Sequence, residues 1–457
     1  MLEKGMRFVA NLRKRSIEAF SSLGYKPDAW LLSVHRLNSR SLNYARYVKK
    51  KRVPLFADNG TKELIDAVIS DQGNPAKKLR TKITSLEMKE GFPEHIAKAS
   101  GELASKVVED CIERSENIDS EEILKQQLSM KPTHIIAQED FAVGCLIALG
   151  LDRELTGWSV KEIDKRNRRS LKLWEKIDAD SRCEKKRVYA VLSAMDYDTA
   201  YSAGKIAAKE GAKNIAIGLA GILLDLTTVE SFEKGGKRHK LDSPVRRRYV
   251  RFAQIVSGLA DGYRNQKKKI KGFHALGLGA PTLFPVLVAA MKDVGHLSID
   301  STSPIHAVAK QNTIFDPHRN GDRVSQIKMV ERVLSGEDWK CHGPFCSKFV
   351  EMFGHDPDSA RRWWESNGRP SITEQHLQQG QPIADALPLF SDSLDSPYLD
   401  NARIAHNHWV MKELTKGVSR IKRRRRKWAL KRIDEMIAYE SEMTARGLNA
   451  AKMVLTA

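Results

Sequence analysis

Seven short apolar runs, each closing on a glycine or a polar residue and followed by a helix-like stretch, constrain this chain more than any other feature. They are Trp30–Ser33, Val53–Ala57, Thr133–Ala137, Val188–Leu192, Asn214–Ile217, Gly272–Leu276 and His296–Ile299. Between them lie amphipathic stretches such as Thr199–Glu210 and Thr282–Val294. β-rich runs alternating with helices argue for parallel βαβ units. Spread over about 270 residues, they suit an α/β fold of the (β/α)8 TIM type with one strand missed or irregular. A doubly wound open sheet is the alternative, but no dinucleotide-type glycine fingerprint follows the first run. In a barrel, the residues just past each strand gather at one rim, where chemistry is housed. The tips collected in this way are Asp58, Glu139, Asp140, Ser193, Gly218, Gly277 and Asp300.

After about residue 330 the rhythm stops, as the change in spacing shows. The segment Trp339-Lys-Cys-His-Gly-Pro-Phe-Cys346 opens a different region, with Trp363-Trp364 and a polar, proline-containing loop near 366–398. Residues 399–445 read as helical. The expected division is a barrel over 1–330, a second region over 331–410 and a basic helical segment over 411–457. No run approaches the ~20 apolar residues of a membrane helix. The N-terminus also lacks the apolar core of a secretion signal. A cytoplasmic protein is expected. Five cysteines are too few and too scattered for a disulfide framework, and point to free thiols with one metal site.

Charge narrows the class of partner. Lys and Arg number 77 against 57 Asp and Glu, a formal net charge of +20, and a polyanion is the simplest reason to tolerate that self-repulsion. The basic residues cluster at Lys49-Lys50-Lys51-Arg52, Lys165–Arg169, Lys237–Lys240, Arg246-Arg247-Arg248 and Lys267-Lys268-Lys269. The most basic run is Arg420–Lys427, with Arg423, Arg424, Arg425 and Arg426 at its centre. Each cluster is a candidate phosphate contact or a solvated face, and nucleic acid is the expected partner.

Four strand tips together resemble the tRNA-guanine transglycosylase superfamily, over roughly residues 30–430. Ala57-Asp58-Asn59-Gly60 is similar to that family's Asp-Ser-Gly-Gly turn. Ile215–Ala220 is similar to its Ile-Gly-Gly-Leu-Ala strand end, with one glycine fewer. His274-Ala-Leu276-Gly277-Leu-Gly279-Ala-Pro281 resembles its Gly-x-Gly-x-Pro segment, and Ser298-Ile-Asp300-Ser301 its nucleophile segment. His406-Asn407-His408-Trp409 resembles its zinc-ligating His-Asn segment, and Cys341 and Cys346 keep the outer spacing of its Cys-x-Cys-x-x-Cys. The middle thiolate is replaced by Gly343, so His342 is the natural substitute donor. The implied architecture is a barrel with a C-terminal zinc-binding insertion and a basic helical tail. Its structural zinc would be held by Cys341, His342, Cys346 and His406.

The resemblance also implies chemistry. Asp300 would be the nucleophile that attacks C1′ and forms a covalent sugar–enzyme intermediate. Asp58 would manage the proton of the leaving and incoming bases. Glu139 or Asp140 would read the base edge, and the two remain undecided. Ser193 stands where many relatives have glutamine. Gly218 and Leu219 would present backbone groups to the base, while Leu276 packs on its face and Gly277 lines the pocket. Asp300-Ser301, and Pro304-Ile305-His306 in place of Pro-Thr-Arg, favour the branches that use 7-cyano-7-deazaguanine. The best overall resemblance is to the 7-deazaguanine DNA-guanine transglycosylases (the DpdA group). This implies DNA as substrate, extruded or unpaired, with accessory proteins of a DNA-modification system as further partners. A tRNA-guanine transglycosylase and a non-catalytic nucleic-acid-binding relative are the alternatives.

Overall fold

In the computed structural model, the structure describes residues 5–22, 25–86, 92–223, 225, 227–311, 313–317, 322–325, 341–344, 346–347, 396–419 and 425–457. Eight parallel strands close a barrel. In chain order they are β1 (Gly5–Asn11), β2 (Ala29–Ser33), β3 (Leu55–Asp58), β4 (His134–Ile136), β5 (Arg187–Leu192) and β6 (Asn214–Gly218). A hairpin of β7 (Thr228–Lys234) and β8 (Lys237–Arg246) intervenes before β9 (Gly272–Leu276) and β10 (His296–Asp300). The ring runs β1-β10-β9-β6-β5-β4-β3-β2, so the first and last barrel strands pair with each other. The (β/α)8 expectation holds, and the strand that the sequence conceals is β1.

Both faces of the barrel strands are largely buried, which is why the runs read as continuously apolar rather than alternating. In β5, Val188, Ala190 and Leu192 pack outward under the helices. Tyr189 and Val191 point inward, joining Val9, Leu31, Phe56, Ile136 and Ala216 in the barrel interior. The same alternation in the other strands aims Asp58, Ser193, Gly218, Leu276 and Asp300 at the axis, at the C-terminal end of the barrel.

Local signals set the helix starts. Ser159 and Glu162 form a capping box ahead of helix Val160–Asp178, and Asp196 with Thr199 does the same for helix Tyr197–Lys209. Each box satisfies two backbone donors that a helix end would otherwise leave open. Helix Tyr197–Lys209 lies unusually close to helix Arg247–Asn265. A Cβ on Gly258 would fall 2.6 Å from the Tyr197 carbonyl oxygen, and one on Gly262 would fall 2.3 Å from that of Tyr201. Only glycine allows backbones to approach this far.

Beyond the barrel, β11 (Thr313–Asp316) pairs antiparallel with β12 (Asp322–Ser325). Helix Ser396–Ser419 follows, and its span runs through the expected boundary at 410/411. Val410, Met411 and Val418 share one hydrophobic core with Ala429 and Ile433 of helix Arg425–Tyr439 and Val454 of helix Glu442–Thr456. That core also contains barrel residues such as Phe273 and Ile299. The tail therefore shares the core of the barrel. No helix among the described residues is long and apolar enough to cross a membrane. Trp363 and Trp364 lie outside the described residues.

Candidate active site and metal centre

Asp300 ends β10 with 8% of its surface exposed. Its Oδ1 accepts the Gly277 backbone N–H at 3.0 Å and stands 3.5 Å from His274 Nε2. Gly277 adopts φ 75°, which turns that N–H toward the carboxylate. Oδ1 is thus bound by Gly277 with the His274 ring beside it, leaving Oδ2 as the oxygen with no protein donor among the described residues. His274 is fully buried in β9, with Nδ1 2.9 Å from Ser298 Oγ. Ser298 Oγ also lies 3.3 Å from the Phe273 carbonyl, so the hydroxyl links the imidazole to the β9 backbone. Sequence alone gives His274 no role, and its pairing with Asp300 arises only from the β9–β10 neighbourhood.

Asp58 ends β3 in register with Ser33 of β2. Burial, and then the charges of Asp300 and Glu63, push its carboxyl up to about 7, against a partial pull downward from the Gly60 and Asn59 backbone donors. The turn after it is made by its neighbour. Asn59 Oδ1 accepts from Thr61 N at 3.0 Å and its amide donates to the Ala137 carbonyl at 2.6 Å. Asp58 shares that turn, its Oδ2 accepting from Gly60 N at 3.4 Å.

The structure separates Glu139 from Asp140. Asp140 is buried, with Oδ2 3.3 Å from Arg166 and 3.9 Å from Arg169, and Oδ1 accepting from Ala142 N at 3.2 Å. Its oxygens are committed to the fold, which removes it as a base reader. Glu139 is partly exposed and feels the charge of Asp58. Burial first, then Asp58 and Asp140, push it up to about 8, with a hydrogen bond to Thr61 pulling the other way. Asp58, Glu139 and Asp300 thus form one electrostatically linked set of carboxyl groups at the barrel mouth.

The remaining pocket residues divide. Gly218 is exposed with open space above its Cα, and Leu276 is half-buried at the same rim. Ser193 is clamped through its backbone by Asn167, which accepts from its N–H and donates to its carbonyl, both at 2.9 Å. Leu219 is a correction. Its side chain is fully buried, its N–H donates to Leu276 O at 2.9 Å and its carbonyl accepts from Leu223 N, so neither backbone group is free for a base.

Cys341, Cys346 and His406, all buried, bring their ligand atoms within 4.8 Å of one another. Cys346 Sγ lies 3.8 Å from His406 Nδ1, and His406 Nε2 donates to the Phe315 carbonyl at 3.0 Å. That carbonyl fixes the proton on Nε2 and turns the bare Nδ1 toward the sulfurs, the tautomer a metal ligand requires. Burial keeps His406 neutral by pushing it down to about 4. A hydrogen bond from Cys346 pulls the Cys341 thiol down, and Gly343 N donates to the same sulfur at 3.4 Å. The group can hold a metal ion. A Cβ at position 343 would lie 2.3 Å from His406 Nδ1, so no third thiolate fits there. His342 is corrected. It is exposed and stands outside the three-residue group. His408 is buried away from it, between the rings of Phe8 and Phe20.

The basic clusters need the largest revision. Lys49, Lys50, Lys51, Arg52, Lys267, Lys268 and Lys269 are exposed, but they precede β3 and β9 and so lie at the end opposite the carboxylates. Arg247 is buried and spent on Asp152 and on Asp225, 2.7 Å away, where Arg251 also approaches to 3.5 Å. Arg425 is buried and donates to the Val294 carbonyl at 2.7 Å. Neither can be a phosphate contact. Arg246, Arg248 and Arg426 are half-buried, against Met443 Sδ, the Tyr249 ring and the Leu455 carbonyl respectively. Arg423 and Arg424 lie outside the described residues. A scan of family models and a search of curated proteins find no match to this chain.

Proposed function

We propose that the chain is a base-exchange transglycosylase that replaces guanine in DNA with 7-cyano-7-deazaguanine through an aspartyl–deoxyribose intermediate on Asp300. One observation carries the reading. A buried aspartate, bound through a single oxygen by Gly277 with His274 3.5 Å from it, shares the barrel mouth with a second aspartate whose carboxyl sits near neutrality. In the first step Asp300 Oδ2 attacks C1′ and the C1′–N9 bond breaks. The proton on Asp58 goes to the departing guanine. The incoming base then surrenders its N9 proton to Asp58 and attacks C1′, which frees Asp300. A carboxyl near 7 suits both halves of that cycle at neutral pH. Glu139, protonated at neutral pH, can donate to a purine carbonyl and accept from the adjacent ring N–H. Zinc is the metal that two thiolates and an imidazole favour, and its part here is structural.

The test is release of radiolabelled guanine from DNA and from tRNA, with and without 7-cyano-7-deazaguanine, for wild type and Asp300→Asn. Release from DNA that falls by about a thousandfold or more in the variant supports the reading. Release from tRNA alone, or equal release by the two proteins, overturns it.

A further inference from the structure

Because all eight barrel strands are parallel, every connection that leads into a strand lies at the end remote from Asp58 and Asp300. Each such described connection carries at least one lysine, from Lys26 before β2 to Lys292 before β10. Among the described residues, no carboxylate pairs with Lys49, Lys50, Lys131, Lys268 or Lys269. Acids balance the lysines before β2, β5, β6 and β10, where Asp28 pairs with Lys412 at 3.3 Å, Asp180 pairs with Arg182 at 2.7 Å, and Glu184, Glu210 and Asp293 also lie, so the net positive charge gathers in the connections into β3, β4 and β9.

Three of the basic residues are held in an unfavourable backbone conformation. Arg52 (φ 55°), Lys131 (φ 53°) and Lys267 (φ 51°) each sit one residue beyond a helix C-cap, in the left-handed region. Glycine is the usual occupant of that position, and Gly211 (φ 80°) fills it in the connection to β6. An L-residue there costs on the order of 1 kcal/mol. At three of these connections the chain accepts that cost and gains a positive side chain, which is the pattern of a conformation retained for function. Beside Lys267 lies a cavity of about 200 Å³, lined by Ile270 and Met291 and edged by Arg264, Lys268 and Lys269 together with one carboxylate, Asp293. The start of helix Arg425–Tyr439, with exposed Lys427, is tied to the same end by the bond from Arg425 to Val294.

We propose that the N-terminal end of the barrel docks the sugar–phosphate backbone of a nucleic-acid duplex, on a surface separate from the carboxylate mouth. A protein partner would favour an apolar or aromatic centre with few lysines. Here the surface is lysine-dominated, and the large apolar side chains exposed among the described residues are Tyr47, Tyr439 and Met443. A single strand would need a file of stacking aromatics, and among the described residues this end exposes Tyr47 alone. Duplex backbone needs only a spread of positive charge. The docked duplex is a different stretch from any nucleotide engaged at the mouth, since the strands and their loops separate the two ends by roughly 20 Å.

The experiment compares two full-length variants with wild type for binding to a fluorescent 40-base-pair DNA across a salt series. One carries Lys49→Gln, Lys50→Gln, Lys268→Gln and Lys269→Gln. The other removes equal charge elsewhere, with Lys77→Gln, Lys78→Gln, Lys98→Gln and Lys106→Gln, all exposed on other helices. The first variant should bind at least about tenfold more weakly, with a salt slope shallower by roughly 3 to 4, while the second matches wild type. Unchanged melting temperatures show that both fold. Equal loss in the two variants, no loss in either, or loss confined to single strands or a poly-glutamate peptide overturns the proposal. No base exchange is measured, so the outcome is independent of the proposed reaction.

Discussion

At the scale of single residues, the raised carboxyls carry a signed consequence. Asp58 and Glu139 hold their protons to about 7 and about 8 when folded, but ionise near pH 4 in an unfolded chain. Between those values the unfolded state sheds protons that the folded state keeps, so stability falls as pH rises through this window. Asp58→Asn should therefore raise the melting temperature by several degrees at pH 8 and leave it unchanged at pH 4. A thermal scan showing the same gain at both pH values would mean that ionisation is not the cause. On the proposed exchange reaction, His274→Phe should lower kcat by about 100-fold, with little change in KM and a native circular dichroism spectrum. Asp58 and Asp300 are legible in the sequence because each is a polar residue closing an apolar run. His274 is not, because a histidine within an apolar run reads as core, and its partner arrives from the next barrel strand. The choice of Glu139 over Asp140 needed the ion pairs from Arg166 and Arg169, which come from a helix 26 or more residues away.

Elements show where pattern is sufficient and where it fails. Seven of the barrel strands stand out as apolar runs, whereas β1 places Arg7 amid its apolar residues and starts close to the chain's first residue. The β7–β8 hairpin reads in sequence as a basic cluster. Its register and its Gly235-Gly236 turn, with φ of 58° and 74°, emerge only when the charges are seen to flank a tight turn. The seam between helices Tyr197–Lys209 and Arg247–Asn265 has no signature beyond scattered glycines. There, Gly258→Ala should destabilise by about 1 to 3 kcal/mol by forcing the helices apart, measurable by chemical denaturation. The metal group joins the Cys341–Cys346 segment to helix Ser396–Ser419. Purified protein should contain one zinc per chain by elemental analysis. Cys346→Ala should contain none and melt earlier, and a strong chelator should shift wild type toward that variant.

For the whole molecule, fold class and mouth residues could be read in advance, but the disposition of charge could not. A cluster such as Lys267-Lys268-Lys269 is visible in one dimension, and only strand direction tells that it faces away from Asp300. Arg247 and Arg425 look like their neighbours in sequence and turn out to be interior struts. The tail, too, is integral. Removing helix Glu442–Thr456 should uncover Tyr249, against which Gly447 packs, and lower the melting temperature by well over 10 °C or leave the protein insoluble.

Barrel closure also sets a schedule for synthesis. Val9 pairs with Asp300, so the first strand waits for roughly 290 further residues, on the order of 15 to 60 s of translation, before its second edge is covered. Until then the emerging chain exposes a strand edge that can pair with a neighbouring nascent chain. Because Asp300 itself arrives on the closing strand, the carboxylates of the barrel mouth can come together only once the ring is complete.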